Sequence, residues 1–148
     1  MGSQAFSVTA ESAAPPERVF QVLADTQQWA RWAPFDESGL ERKGDPAPNG
    51  LGAVRRFRRG RIRTREEVVA YEPPRHFAYT LLSGLPIHGY RADVTLERRG
   101  CGTVITWASS FDPAVPGTGW LLRRILRNFV AQVAVRLARR AEAEATER

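Results

Sequence analysis

Glu66, His88 and Tyr90 are the residues whose types and positions suggest chemistry in this chain. In the run Ile62, Thr64, Glu66, Val68 alternate residues share one face of a strand, and the others on that face suit an interior. A carboxylate there is partly desolvated, which raises its pKa and equips it to take or give a proton in enolisation. The competing expectation is an ion pair with one of the neighbouring arginines, or a bulge that turns Glu66 outward. His88 and Tyr90 alternate inward on a later strand, with Thr103 and Ser109 inward on the strand after it. His88 there is a proton shuttle, unless it sits exposed just after the turn that opens its strand, and Tyr90 is a donor to a forming enolate. His76, beside Pro73 and Pro74, is expected at the surface. With one cysteine, Cys101, and two histidines, the chain displays no metal-ligand spacing, and it has no Ser-His-Asp pattern, phosphate loop or dinucleotide fingerprint. No metal and no cofactor are expected.

The formal charge of +6 is concentrated in one place. Residues 51–65 hold seven arginines and no acid, so the remainder of the chain sums to −1. Arg58, Arg59 and Arg61 are the expected contacts for an anionic group on a ligand, or for an acidic protein partner such as an acyl carrier protein. A nucleic-acid partner is not favoured, because Phe57 alone interleaves the arginines where single-strand binders stack several aromatics. A length of 148 residues with 43% hydrophobic and 26% charged composition fits one folded domain over 1–148 and excludes a disordered chain. No apolar run reaches the roughly 18 residues of a membrane span, and the first residues lack a basic region followed by an apolar block. A cytoplasmic location is the expectation.

The elements that must position these residues follow from period and punctuation. Phe6, Val8 and Ala10 alternate in a first strand, and Pro15-Pro16 opens a short helix whose stripe is Val19, Val22 and Leu23. A second short helix or turn carries Trp29 and Trp32 and ends before Pro34. Six strands follow, at about 36–44, 51–59, 61–72, 75–83, 87–99 and 101–111, separated by Gly and Pro turns that suit an antiparallel meander. From Gly117 the period becomes helical, with Leu122, Ile125, Leu126, Phe129, Val130, Val133 and Leu137 on one stripe. The charged end, residues 141–148, offers no apolar face and is expected to fray.

Three stretches carry a resemblance to a known family: FSVTAESAAPPERVFQVLADTQQWARWAPF, EEVVAYEPPRHFAYTLLSG and YRADVTLERRGCGTVITWASSF. They resemble the START-like, helix-grip superfamily called SRPBCC, which includes polyketide cyclase/dehydrase-like proteins. The resemblance implies an α+β fold in which a curved seven-stranded antiparallel sheet wraps a long C-terminal helix, with two short helices after the first strand. It also implies an apolar cavity between sheet and helix for a polyketide-like, lipid-like or aromatic molecule. On that frame Trp29, Trp32, Phe35, Phe77, Tyr79, Tyr90, Trp107, Ser109, Leu122 and Phe129 are the expected ligand contacts. Glu66, His88 and Tyr90 would serve any cyclisation or dehydration of the guest. The alternative is an interaction or chaperone-cofactor-like module that works through the arginine-rich hairpin 55–65.

Overall fold

The computed structural model describes residues 3–146. Strand β1 (Gln4–Ser12) leads into helix α1 (Pro16–Ala24) and a 3-10 helix (Thr26–Arg31). Strands β2 (Glu37–Arg42), β3 (Val54–Arg59), β4 (Ile62–Glu72), β5 (His76–Ser83), β6 (Ile87–Arg99) and β7 (Gly102–Pro113) follow, and helix α2 (Gly119–Thr146) closes the chain. All neighbours are antiparallel, in the order β1-β7-β6-β5-β4-β3-β2, so β2 to β7 form the expected meander and β1 crosses to pair with β7. The β3–β4 and β6–β7 hairpins each turn through two residues, and Gly60 and Gly100 supply the positive φ such turns need.

Why α1 begins where it does is a matter of proline geometry. Pro15 is extended at the cap and Pro16 takes the first helical position, where the missing N–H costs nothing. Val19 and Leu23 on its stripe are fully buried and join one core with Phe6, Val8 and Ile105 of the sheet. Helix α2 lies mainly over β1, with α1 and β7 beside it.

At its C-terminal half α2 departs from expectation. Residues 141–146 remain helical rather than frayed, Ala141 is fully buried, and the Glu142 carboxylate accepts a hydrogen bond from the Ala13 N–H at 2.7 Å. Buried Ala134, Ala138 and Ala141 present little bulk, which lets the helix approach closely enough for Ser12 Oγ to donate to the Ala138 carbonyl at 2.8 Å. Residues 147 and 148 lie outside the described residues.

Strand β6 departs once more. His88 is exposed, because the register with β7 slips between His88 and Arg91 and Gly89 sits at φ +63. This is a glycine-dependent β-bulge: one extra residue reverses the inside-outside phase, so Ile87 and Tyr90 are buried and His88 is turned to solvent opposite Asp112.

Candidate functional site

A cavity of about 470 Å³ lies between the sheet and α2. Its walls are Trp29 and Phe35 from the segment after α1, Leu81 from β5, Trp107 from β7, and Phe129 and Val133 from α2. Each strand residue arrives there by period-two alternation, since Tyr79 and Leu81, or Tyr90 beyond the bulge, share the concave face. The polar groups on the wall are few: Arg59, Thr64, Glu66, Tyr79, Tyr90 and, from α2, Asn128 and Gln132.

Glu66 faces this cavity as its alternation predicts, and it is also ion-paired. One Glu66 carboxylate oxygen accepts from the Arg55 guanidinium at 2.9 Å, with the Arg55 side chain 1% and the Glu66 side chain 14% exposed. Burial pushes the Glu66 carboxyl above its ordinary value, while the adjacent guanidinium opposes that rise. Arg55 is held in an aromatic box: its guanidinium carbon is 4.6 Å from the Trp29 ring centroid, 5.0 Å from those of Phe57 and Tyr79, and 5.2 Å from that of Phe77. Its Nε and Nη1 have no hydrogen-bond partner, so the ring faces and one carboxylate are what stabilise a fully buried cation.

The two tyrosines are protonated donors. Burial raises the Tyr79 hydroxyl well above its usual value and pushes Tyr90 up to about 12. Tyr90 shares a 3.0 Å hydrogen bond with Ser109, and the Tyr79 oxygen accepts from the Trp107 Nε1–H at 3.2 Å, which leaves the Tyr79 O–H free to turn toward a guest or toward Tyr90.

Of the expected ligand contacts, Trp29, Phe35, Tyr79, Tyr90, Trp107 and Phe129 line the cavity. Four others do not. Trp32 packs behind Trp29 with 4.8 Å between ring centroids, Phe77 lies under Arg55, Ser109 sits behind Tyr90, and Leu122 packs against the core away from the cavity wall. Thr103 is buried at the far end of β7, where its hydroxyl donates to the Ala14 carbonyl at 2.8 Å. His76 is half-buried rather than fully on the surface, 2.7 Å from Asp93 on the outer side of the sheet.

The arginine hairpin divides by face. Arg58 is paired with Asp36 and Glu37, Arg59 lies over the Phe129 ring at 5.1 Å on the cavity rim, and Arg61 is exposed in the turn. Arg55, which pairs with the cavity-facing Glu66, is the residue at this site that the sequence reading did not single out. Its signal was available: a turn centred on Gly60 and Arg61 pairs Arg59 with Ile62, and counting back along both strands pairs Arg55 with Glu66.

Residues 3–143 match the sequence profile of the family described as polyketide cyclase / dehydrase and lipid transport. The chain belongs to that family. An uncharacterized protein of Mycobacterium tuberculosis is 31% identical over 136 residues, covering 83% of this chain and 80% of the relative. Among solved structures, a START superfamily protein from Mycobacterium smegmatis superposes with a TM-score of 0.82 at 15% identity, covering 96% of this chain and 99% of that one. The Zhui aromatase/cyclase of a Streptomyces species superposes with a TM-score of 0.80 at 17% identity, covering 97% of this chain and 96% of that one. Norcoclaurine synthase of Thalictrum flavum gives 0.77 at 13% identity and 97% coverage of both. These likenesses establish the START-like, helix-grip architecture, which in this family member encloses the cavity described above.

Proposed function

We propose that the protein binds a hydrophobic small molecule of polyketide-like, lipid-like or aromatic kind in the cavity between the sheet and α2. The observation that carries this reading is the cavity itself, about 470 Å³ walled by aromatic and aliphatic side chains, with Glu66 and two neutral phenols as its inner polar groups. Such a site takes the apolar body of a guest by shape and area, and orients it through a hydroxyl or carbonyl. A guest hydroxyl donates to Glu66, and a guest carbonyl accepts from Tyr79 or Tyr90.

The test is a matched pair of proteins. Wild-type protein and a Thr64→Trp variant, in which the indole fills the cavity, are purified alike, extracted with organic solvent and titrated with an anilinonaphthalene dye. The wild type is expected to yield a small molecule or to capture the dye, and Thr64→Trp to do neither. Equal extracts together with equal dye capture in the two proteins would sink the reading.

A second reading, proton transfer at a bound carbonyl as in a cyclase or dehydrase, is supported by a buried carboxylate and two neutral phenols lining the same cavity from neighbouring strands. The similarity to an aromatase/cyclase in fold belongs to the same reading. Glu66 would remove the proton α to a guest carbonyl while Tyr79 or Tyr90 donates to the enolate oxygen. Glu66→Gln is expected to abolish turnover of a polyketone and to retain dye capture. Unchanged turnover removes Glu66 from the mechanism.

A further inference from the structure

The mouth of the cavity has a surface unlike the rest of the molecule. Of the eight large apolar side chains that are exposed among the described residues, Ile62, Leu82, Val115, Trp120, Leu121 and Ile125 lie at this one end, with Trp120 65% exposed. They come from the β3–β4 hairpin, the end of β5, the β7–α2 connection and the first turns of α2. These pieces form one continuous rim. Gly84 of the β5–β6 turn is packed against the backbone of Arg63, and the Ala114 N–H donates to the Pro86 carbonyl at 3.0 Å.

The charge of the rim is equally one-sided. Residues 51–65, 73–92 and 113–141, which supply its three turns and the exposed start of α2, contain no aspartate or glutamate. Arg61, Arg63, Arg124 and Arg127 are exposed or half-exposed around it and have no carboxylate partner among the described residues. Asp36, which accepts from the Gly60 N–H in the β3–β4 turn, and its neighbour Glu37 are already engaged with Arg58, and Asp112 with the Ser3 hydroxyl.

We propose that this end of the molecule docks on an anionic lipid bilayer, with Trp120 and Leu121 entering the headgroup boundary and the unpaired arginines contacting lipid phosphates. Two features select a bilayer over an acidic protein. The arginines surround apolar side chains that need a nonaqueous phase, and a tryptophan with lysine- or arginine-rich flanks is the composition that suits a membrane interface. The same rim opens into the cavity through Ile62 and Ile125, so a hydrophobic guest could pass from lipid to protein without crossing water. The docking surface stands on its own residues and does not depend on what the cavity holds.

Flotation with vesicles tests it. The protein is expected to float with phosphatidylcholine vesicles containing about 30% phosphatidylglycerol, to stay behind with pure phosphatidylcholine, and to be released as salt rises to about 0.5 M. Arg61→Ala/Arg63→Ala/Arg124→Ala is expected to weaken binding roughly a hundredfold, since each arginine near an anionic surface contributes about a factor of five to ten. Trp120→Ser/Leu121→Ser is expected to weaken it at least tenfold, from the apolar area no longer buried. Neither variant touches the cavity wall, so dye capture should persist in both, and an unchanged cooperative denaturant transition shows that each is folded. Brominated acyl chains should quench wild-type tryptophan emission and lose that effect in Trp120→Ser, because Trp29, Trp32 and Trp107 are buried. Wild type that ignores anionic vesicles at about 0.05 M salt overturns the proposal, as does a Trp120→Ser/Leu121→Ser variant that binds like wild type. Capture by an immobilised acidic protein with no vesicle binding reassigns the surface to a protein partner, and overturns it too.

Discussion

The two halves of α2 carry the same apolar stripe to different ends. In the C-terminal half Leu137, Ala138 and Ala141 are buried where the helix packs on β1 and α1, and the helix is pinned through Ser12 and Glu142. In the N-terminal half Phe129 and Leu126 are only half covered, and Ile125 and Trp120 stand in the open. One half of the helix completes the core; the other roofs a cavity and frames its mouth. Apolar period identifies the face of a helix, and what covers that face decides whether it stabilises the fold or serves a ligand.

The sharpest way to break this division is at the cavity wall, where Glu66 is ion-paired with the buried Arg55. Glu66→Ala leaves the Arg55 cation buried without its carboxylate and is expected to cost about 3–5 kcal/mol in denaturant unfolding. The double variant Arg55→Met/Glu66→Leu removes both charges and should recover most of that loss. If the double variant is no more stable than Glu66→Ala, the pair is not the source of the cost. Next in size comes a direct contrast along α2. Leu137→Ala should cost about 2–5 kcal/mol as a core cavity, whereas Ile125→Ala should change stability by less than about 0.5 kcal/mol. Equal losses would erase the distinction between the two halves.

The smallest effect lies on the outer side of the sheet. Hydrogen bonds from Arg91, with His76 adding to them, hold the Asp93 carboxyl below its ordinary value of 3.8. A lowered carboxyl value means the native state binds its proton less readily than the unfolded chain does. Its contribution is therefore complete above 3.8 and lost as pH falls through the lower native value. Asp93→Asn should flatten that acid limb by less than about 1 kcal/mol, given its partial exposure. An unchanged acid limb would mean the cluster contributes nothing.

Much of the site was legible because strands alternate with a period of two. Tyr79 and Leu81 on β5, and Trp107 on β7, follow from counting alone, and so does the inward aim of Glu66. His88 was not legible in this way, since a bulge inserts a residue without altering composition, and Gly89 was its one mark. Ion pairing across strands requires a register, which alternation leaves open until the turn is placed; Arg55 and Glu66 meet only once Gly60 and Arg61 are put at the tip of the hairpin. The C-terminal end was misread because its buried residues are alanines. Their value is smallness, which lets helix and strand approach, and hydropathy patterns do not register it.

The aromatic box around Arg55 has an optical consequence. A guanidinium fixed 4.6 Å from the Trp29 ring centroid places a positive charge beside a chromophore whose excitation moves electron density within the ring plane. The transition energy of Trp29 is therefore tied to the position and pairing of that one cation. A guest that draws Glu66 away from Arg55, or protonates it, alters the field at the indole without touching it. Trp29 lines the cavity, so a change in the occupancy or ionisation of that cavity is expected to shift its ultraviolet absorption, with no dye attached.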